Sequence, residues 1–343
     1  MKVLVTGGCG FLGTNLCEYY IKKGAEVIAY DNMTKYELDR TGYDVKLARE
    51  HNRKVLEVWD VEVRVKDVLN FNDLLAAATG CDFIVHAAAQ PAMTIAIQEP
   101  ILDAKVNILG GLNVLEVARQ LDIPLLICST IHIYGNGINK SLKVGKTRFL
   151  REPPEINEKA QIMTGDLTPL HISKRAMEMY AEAYIKLYGC QVGIFRLTGM
   201  YGPRQFGGED HGWVANFAIK TLFQKPITVF GTDKQVRDIL YVDDACEAID
   251  AFYRSPVSGV YNIGGGFNTS ISIKECLNLL EKITGKKPDV AVSMERVGDL
   301  YYFVCNVGKA KNKLGWKPKV IPEEGLRHLV GWIFGNSDIF GAA

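Results

Sequence analysis

The chain has 343 residues, 48% of them hydrophobic and 23% charged, enough for one large domain or for two lobes sharing a continuous core. Forty basic residues against thirty-nine acidic ones leave a net charge of +1, which excludes an overall electrostatic footprint for nucleic acid or an anionic membrane and leaves a small molecule as the expected partner. Eight cysteines lie scattered with no CxxC pair and no histidine cluster, so neither a metal site nor a disulfide framework is expected, and no apolar stretch reaches the ~18 to 20 residues that span a bilayer.

The opening MKVLVTGG runs directly into a strand and a glycine turn instead of a signal peptide, which makes the cytoplasm the expected location. After KVLVTG, the segments EVIAYD, VEVRVKD, CDFIVHAA, PLLICST and QVGIFRLTG read as further strands. Helical patterns fall between them near Gly13 to Lys23, Phe71 to Ala78, about Pro100 to Gln120 and about Pro169 to Tyr188. Strands separated by helices of this length must run parallel, so the expected class is α/β with a doubly wound parallel sheet. Residues 32–59 are polar, lack a clear period and read as an insertion that is partly helical. From about Met200 the pattern loosens into GPRQFGGEDHGW, as expected of a second lobe. The expected division is a nucleotide-binding domain over residues 1–199, with a strand returned from about 236–266, and a smaller substrate-binding lobe mainly over residues 200–343.

Gly7, Gly10 and Gly13 follow the first strand and open the first helix. This is the Rossmann-type arrangement: a tight turn, close approach of backbone to a pyrophosphate, and close packing of helix on strand, with the helix N-terminus stabilising the phosphate charge. Asp31 ends EVIAYD 18 positions beyond Gly13, placed for the hydroxyls of an adenosine ribose. It is followed by Asn32 and not by an arginine, which disfavours a 2′-phosphate, so NAD is preferred to NADP.

Through these and further motifs the sequence resembles the extended short-chain dehydrogenase/reductase family, the NAD-dependent epimerases and dehydratases, over nearly its whole length. TGGCGFLG, KDV at Lys66 to Val68, HAAAQ at His86 to Gln90, VRDILYVDD at Val236 to Asp244 and YNIGGG at Tyr261 to Gly266 carry the resemblance. Within the family, GMYGPRQFGGEDHGWV and GTDKQVRD are similar to the CDP-paratose (CDP-tyvelose) 2-epimerases. The resemblance implies NAD held by Gly7, Gly10, Phe11, Leu12, Asp31 and Asn32. It adds Asp67 and Val68 at the adenine, and Ala87, Ala88, Gln90, Asn107, Ser129, Lys174 and Leu197 along the rest of the cofactor. It further implies a nucleotide-diphosphate sugar bound by Gln235, Arg237 and Arg296, with Thr198, Gln205 and Trp213 lining the sugar and base pocket. Arginine suits a diphosphate because its planar fork bonds phosphate oxygens in pairs.

The family's chemistry implies a tyrosine in YxxxK that takes the proton from a sugar hydroxyl. Here CSTIHIYG supplies Thr130 at the hydroxyl-orienting position, and TPLHISKRAMEMY supplies Ser173, Lys174 and Glu178, but the tyrosine position is Leu170. No tyrosine lies between Tyr134 and Tyr180, so no shift of alignment restores it. Thr168 and Pro169 read as N-cap and first residue of the helix, which puts Leu170 on the same face as Lys174.

Three residues are candidates for the missing acid/base. Lys174 qualifies if burial lowers its pKa. His132 lies two residues after Thr130, on the same side of the segment if the strand persists; His171 lies beside Leu170 but about 100° around the helix. Ile131 and His132 stand where dehydratases and decarboxylases carry an acid, so elimination is disfavoured and epimerisation, by transient oxidation and re-reduction, is the expected reaction. The alternative is a protein that keeps NAD and sugar-nucleotide affinity without turnover, in a regulatory or scaffolding role. A homodimer through helices near residues 100–120 and 169–188 is implied by the resemblance, and the stripe Ile172, Ala176, Met179 and Ala183 is compatible with it or with the chain's own core.

Overall fold

The structure, a computed structural model, describes residues 1–34 and 45–341. Seven strands form one parallel sheet: β1 (Lys2–Thr6), β2 (Glu26–Asp31), β3 (Glu62–Val65), β4 (Phe83–His86), β5 (Leu125–Thr130), β6 (Val192–Leu197) and β7 (Gly259–Ile263). Their spatial order is β3-β2-β1-β4-β5-β6-β7, so the winding reverses between β1 and β4. A crevice opens at that point beyond the carboxyl ends of the strands, where doubly wound sheets bind ligands. The central strands read as near-continuous apolar runs because helices cover both faces; β6 is buried at all six positions, including Arg196.

On one side α1 (Phe11–Lys22) packs with α2 (Val45–Val58) and, through the later part of the chain, with the helix Val242–Arg254. On the other lie α3 (Phe71–Ala78), α4 (Met93–Gln98), α5 (Pro100–Ala104), α6 (Gly111–Leu121) and α7 (Pro169–Tyr188). The helix expected from Pro100 to Gln120 is continuous but contains a π-helical turn over Lys105–Gly110. Helix α4 escaped the periodicity because six residues give less than two turns. Helix α7 has the expected bounds: Thr168 is extended at the N-cap, Pro169 leads, and Gly189 closes it at φ 71°.

The strand returned to the sheet is narrower than 236–266. Only Gly259–Ile263 joins it, whereas Val236–Asp238 and Leu240–Tyr241 pair within separate small sheets. The later chain also contributes Phe252, Leu314 and Trp316 to the core under the central sheet. A separate core gathers α8 (Trp213–Leu222) with Phe206, Leu280, Leu326 and Phe340. Of the insertion over 32–59, the described part is α2 and the residues beside β2 and β3; residues 35–44 lie outside the described ones.

Candidate active site

The glycine turn is built to admit a cofactor backbone-first. Gly7 has φ +70°, and a Cβ there would lie 2.7 Å from the amide nitrogen of Ala88; a Cβ on Gly13 would lie 2.0 Å from the carbonyl oxygen of Gly7. No larger residue fits either place, because the turn packs against Ala87 and Ala88 and against its own helix, and Gly7, Gly10 and Gly13 line the cavity. Asp31, at the end of β2, accepts from Cys9 N at 3.0 Å through Oδ2 and from Met33 N at 2.7 Å through Oδ1. The carboxylate lines the cavity beside the turn, within reach of a ribose hydroxyl bound there. The donor set and the cradle fit NAD.

From this turn one cavity of about 460 Å³ runs through the crevice to residues of the later chain. Its cofactor end is lined by Gly7, Gly10, Phe11, Leu12, Asp31, Asn32, Asp67 and Val68, and its middle by Ala87, Ala88, Gln90, Ser129, Lys174 and Leu197. Thr130, His132 and Leu170 border the middle as well, and Thr198, Gln205, Trp213, Gln235, Arg237 and Arg296 line the far end.

Two predicted residues lie elsewhere. Asn107 stands behind the wall, where its Oδ1 accepts from Gln90 N at 3.0 Å and its Nδ2 donates to Gln90 O and to Asp103 Oδ1 at 2.9 Å. It orders Gln90 and does not line the cavity. His171 also misses the cavity: fully buried at the start of α7, it accepts from Thr168 N at 3.0 Å through Nδ1 and caps its own helix. Ser129 lines the cavity, yet its hydroxyl is committed to Glu178 Oε1 at 2.6 Å.

Leu170 and Lys174 both border the cavity one helical turn apart, with Leu170 buried. Lys174 Nζ donates to Cys128 O at 3.3 Å, and burial lowers its pKa from the ordinary lysine value despite Cys128, Asp103 and Glu178 nearby. The extended path assumed for His132 is not what forms. β5 ends at Thr130, and Ile131–Tyr134 is a 3₁₀ turn capped by Thr130, whose Oγ1 accepts from the amide of the turn's second residue, His132, at 3.2 Å. The turn nevertheless brings the His132 ring to the cavity. Burial first, then the charges of Arg237, His171 and His211, push its pKa down to about 3, so the ring is neutral.

At the far end, Arg237 donates to the carbonyl oxygens of Val236 and Leu300 at 2.8 and 2.6 Å and makes no ion pair among the described residues, while burial lowers its pKa. Asp299 and Asp238 act on it only from a distance, so its guanidinium, bonded to carbonyls and not to a carboxylate, is placed to bond an anion. Arg296 donates to Glu209 O at 2.8 Å and lies 3.6 Å from the Phe230 ring centroid, a cation–π contact instead of a surface ion pair. Sequence reasoning missed Thr94, Glu209, His211 and Phe230 on this wall. The GGEDHGW run contained two of them, but nothing in a loop's sequence says which side chains turn inward.

Residues 3–264 match the model of the NAD dependent epimerase/dehydratase family. The chain belongs to that family. NAD is the family's cofactor, in agreement with the glycine turn and Asp31. The chain is 31% identical to the CDP-paratose 2-epimerase of Salmonella typhi, covering 97% of this chain and 99% of that protein. Among solved structures, it resembles the UDP-glucose 4-epimerase of Thermus thermophilus in complex with NAD (TM-score 0.80, 31% identity, 98% and 99% of the two chains). It also resembles the UDP-glucuronic acid 4-epimerase of Bacillus cereus in complex with UDP-glucuronic acid and NAD (TM-score 0.82, 26% identity, 98% and 100%). The likeness to these epimerases extends over the seven-stranded sheet described above, and among the described residues no helix is long and apolar enough to cross a membrane.

Proposed function

We propose that this protein is a cytoplasmic, homodimeric nucleotide-sugar epimerase that inverts one sugar carbon by transient oxidation and re-reduction, with an acid/base other than tyrosine. The observation that carries the reading is the continuous cavity that joins the Gly7–Gly13 turn to Arg237 and Arg296 past Thr130 and Lys174. A cofactor and a diphosphate-linked sugar bound at its two ends would meet in its middle. The names of the relatives, acting on CDP- and UDP-linked sugars, support the substrate class.

NAD, when bound, supplies the chemistry of reversible hydride acceptance. The chain's own residues do the rest. Lys174, reaching over the carboxyl end of β5 from α7, holds the nicotinamide ribose, and its charge favours loss of a hydroxyl proton nearby. Thr130 accepts the amide hydrogen of His132, which leaves its own O–H to orient the sugar hydroxyl. Arg237, Arg296 and Gln235 fix the diphosphate at a distance from the reacting carbon, so that the sugar can rotate between oxidation and re-reduction without leaving. Leu170 packs against the cofactor and moves no proton.

The dimer reading is supported by Ile101, Leu109, Ile172, Met179 and Leu187, which stay exposed on the outer faces of the α5–α6 and α7 helices instead of joining the chain's own core.

The test is to identify the nucleotide released from purified protein and then to follow sugar configuration by NMR with CDP-, UDP- and GDP-sugars. Bound NAD with an inverted sugar is the expected result. Bound NAD with every sugar untouched would favour a binding protein without turnover.

A further inference from the structure

The Leu170 position leaves a proton without a carrier. Among the candidates, His171 has its Nδ1 engaged at the α7 cap and its ring outside the cavity. Lys174 Nζ is aimed at Cys128 O, and the reading above gives it the cofactor ribose to hold. His132 is different on both counts. Its ring borders the cavity beside Thr130 and Leu170, and none of its ring nitrogens has a hydrogen-bond partner among the described residues; Nδ1 is buried, which leaves Nε2 as the nitrogen presented to the cavity. His171 packs edge-on against the ring with centroids 6.0 Å apart, and the buried Ile131 and Ile133 anchor the turn that carries it.

We propose that His132 takes and returns the sugar-hydroxyl proton in the role usually filled by tyrosine, with His171 as the positioning residue behind it; this rests on the epimerase reading above. As the hydride leaves the sugar carbon for NAD, the hydroxyl O–H bond breaks, its proton bonds to Nε2 of His132, and the carbon–oxygen double bond forms. Re-reduction on the opposite face reverses each change and returns the proton to the sugar oxygen, so the cycle is balanced without a further reactant.

The groups facing His132 make this base substrate-dependent. Arg237 from the strand Val236–Asp238, His171 from α7 and His211 from the loop before α8 all disfavour a second proton on the ring, beyond the effect of burial. A diphosphate seated on Arg237 offsets the nearest fixed positive charge. His132 therefore becomes more basic when a nucleotide sugar occupies the far end of the cavity, and it stays a poor proton acceptor toward water when none does.

The test compares wild type with His132→Gln, both carrying NAD. The variant is expected to keep stoichiometric NAD and to bind the nucleotide sugar by calorimetry within about threefold of wild type, while kcat falls at least ~100-fold, the usual contribution of a positioned general base. A kcat above about a tenth of wild type overturns the assignment. A variant that does not fold is replaced by the wild-type pH profile. A neutral His132 predicts kcat/KM flat between about pH 5.5 and 8, whereas a rise of about tenfold per pH unit would place the proton on Lys174 and overturn the assignment. His171→Gln should lower kcat and shift the kcat pH profile with KM retained; an unchanged profile removes its positioning role. A wild type that binds NAD and inverts no sugar defeats the epimerase reading itself and this assignment with it, whereas an active His132→Gln defeats this assignment alone.

Discussion

Asn52 Nδ2 donates to the carbonyl oxygen of Cys9 at 3.1 Å and is within 3.4 Å of the carbonyl oxygen of Arg204. One buried amide on α2 thus ties the cofactor's glycine turn to the RQF loop that leads into the second lobe. Its neighbour His51 packs edge-on against Phe206 and Trp332, 5.8 Å from each ring, which fixes α2 against that lobe. Asn52→Ala should therefore loosen both ends of the cavity together. The expected outcome is about 1–3 kcal/mol lost in urea unfolding, with weaker NAD retention and a raised KM for the nucleotide sugar. A change in only one of the two affinities would show that α2 does not couple them.

Arg237 gives the cleanest test of the diphosphate site. Arg237→Met should leave NAD content unchanged and weaken binding of a nucleoside diphosphate by about 10- to 100-fold, as expected for losing charge-assisted hydrogen bonds worth ~1.5–3 kcal/mol. Titration calorimetry with CDP and UDP reads this directly. Equal affinity in variant and wild type would move the diphosphate elsewhere.

Beneath the catalytic segment, Glu178 meets Arg196 through two bonds of 3.0 and 2.8 Å and accepts from Ser129, with both side chains almost fully buried. Arg196 also donates to Tyr134 Oη at 3.0 Å. Arg196→Met leaves Glu178 buried with only Arg175 Nη1, at 3.1 Å, and Ser129 as partners, so a loss near the lower end of ~3–5 kcal/mol in unfolding free energy is expected. The double variant Arg196→Met with Glu178→Met should be less destabilised than the sum of the single ones, because neither charge remains.

Asp238 accepts from Thr198 Oγ1 at 3.0 Å and from Gly266 N at 3.1 Å, yet burial raises its pKa to about 6. A carboxyl raised on folding stabilises the native state fully below its unfolded pKa, and that contribution is lost as pH rises through the folded value. Relative to Asp238→Asn, the wild type should lose up to about 3 kcal/mol between about pH 4 and 7.5, measured by urea unfolding at a series of pH values. A constant difference across that range would mean that the carboxyl is not displaced.

The outer helical face makes a prediction about assembly. Met179 and Ile101 are exposed at 56% and 71%. Met179→Arg with Ile101→Arg should convert a dimer to a monomer in light scattering while leaving the cavity's residues untouched. A wild type that is itself monomeric at micromolar concentration would refute the dimer.

Much of this molecule follows from short-range pattern. The strands of the central sheet are apolar runs because parallel strands are covered on both faces. The glycine turn is written in residue types because only glycine fits at Gly7 and Gly13, and Asp31 follows at a fixed distance because one helix separates β1 from β2. The ends of α7 are stated by Thr168, Pro169 and Gly189, so Leu170 could be placed beside Lys174 without coordinates. What the sequence could not decide was direction and pairing across the fold. A 3₁₀ turn after Thr130, and not a continued strand, aims His132 at the cavity, while helix capping turns His171 away from it. Arg196 looks out of place in a buried strand until Glu178 arrives from α7, 18 positions earlier in the chain. Asn52 and Arg237 likewise acquire partners, Cys9 and Leu300 among them, only when distant segments pack. Local conformation follows from sterics and hydrophobic periodicity, which neighbouring residues carry in themselves. The proton path and the charge environment depend on distances between residues far apart in the chain, and those distances exist only in the folded structure.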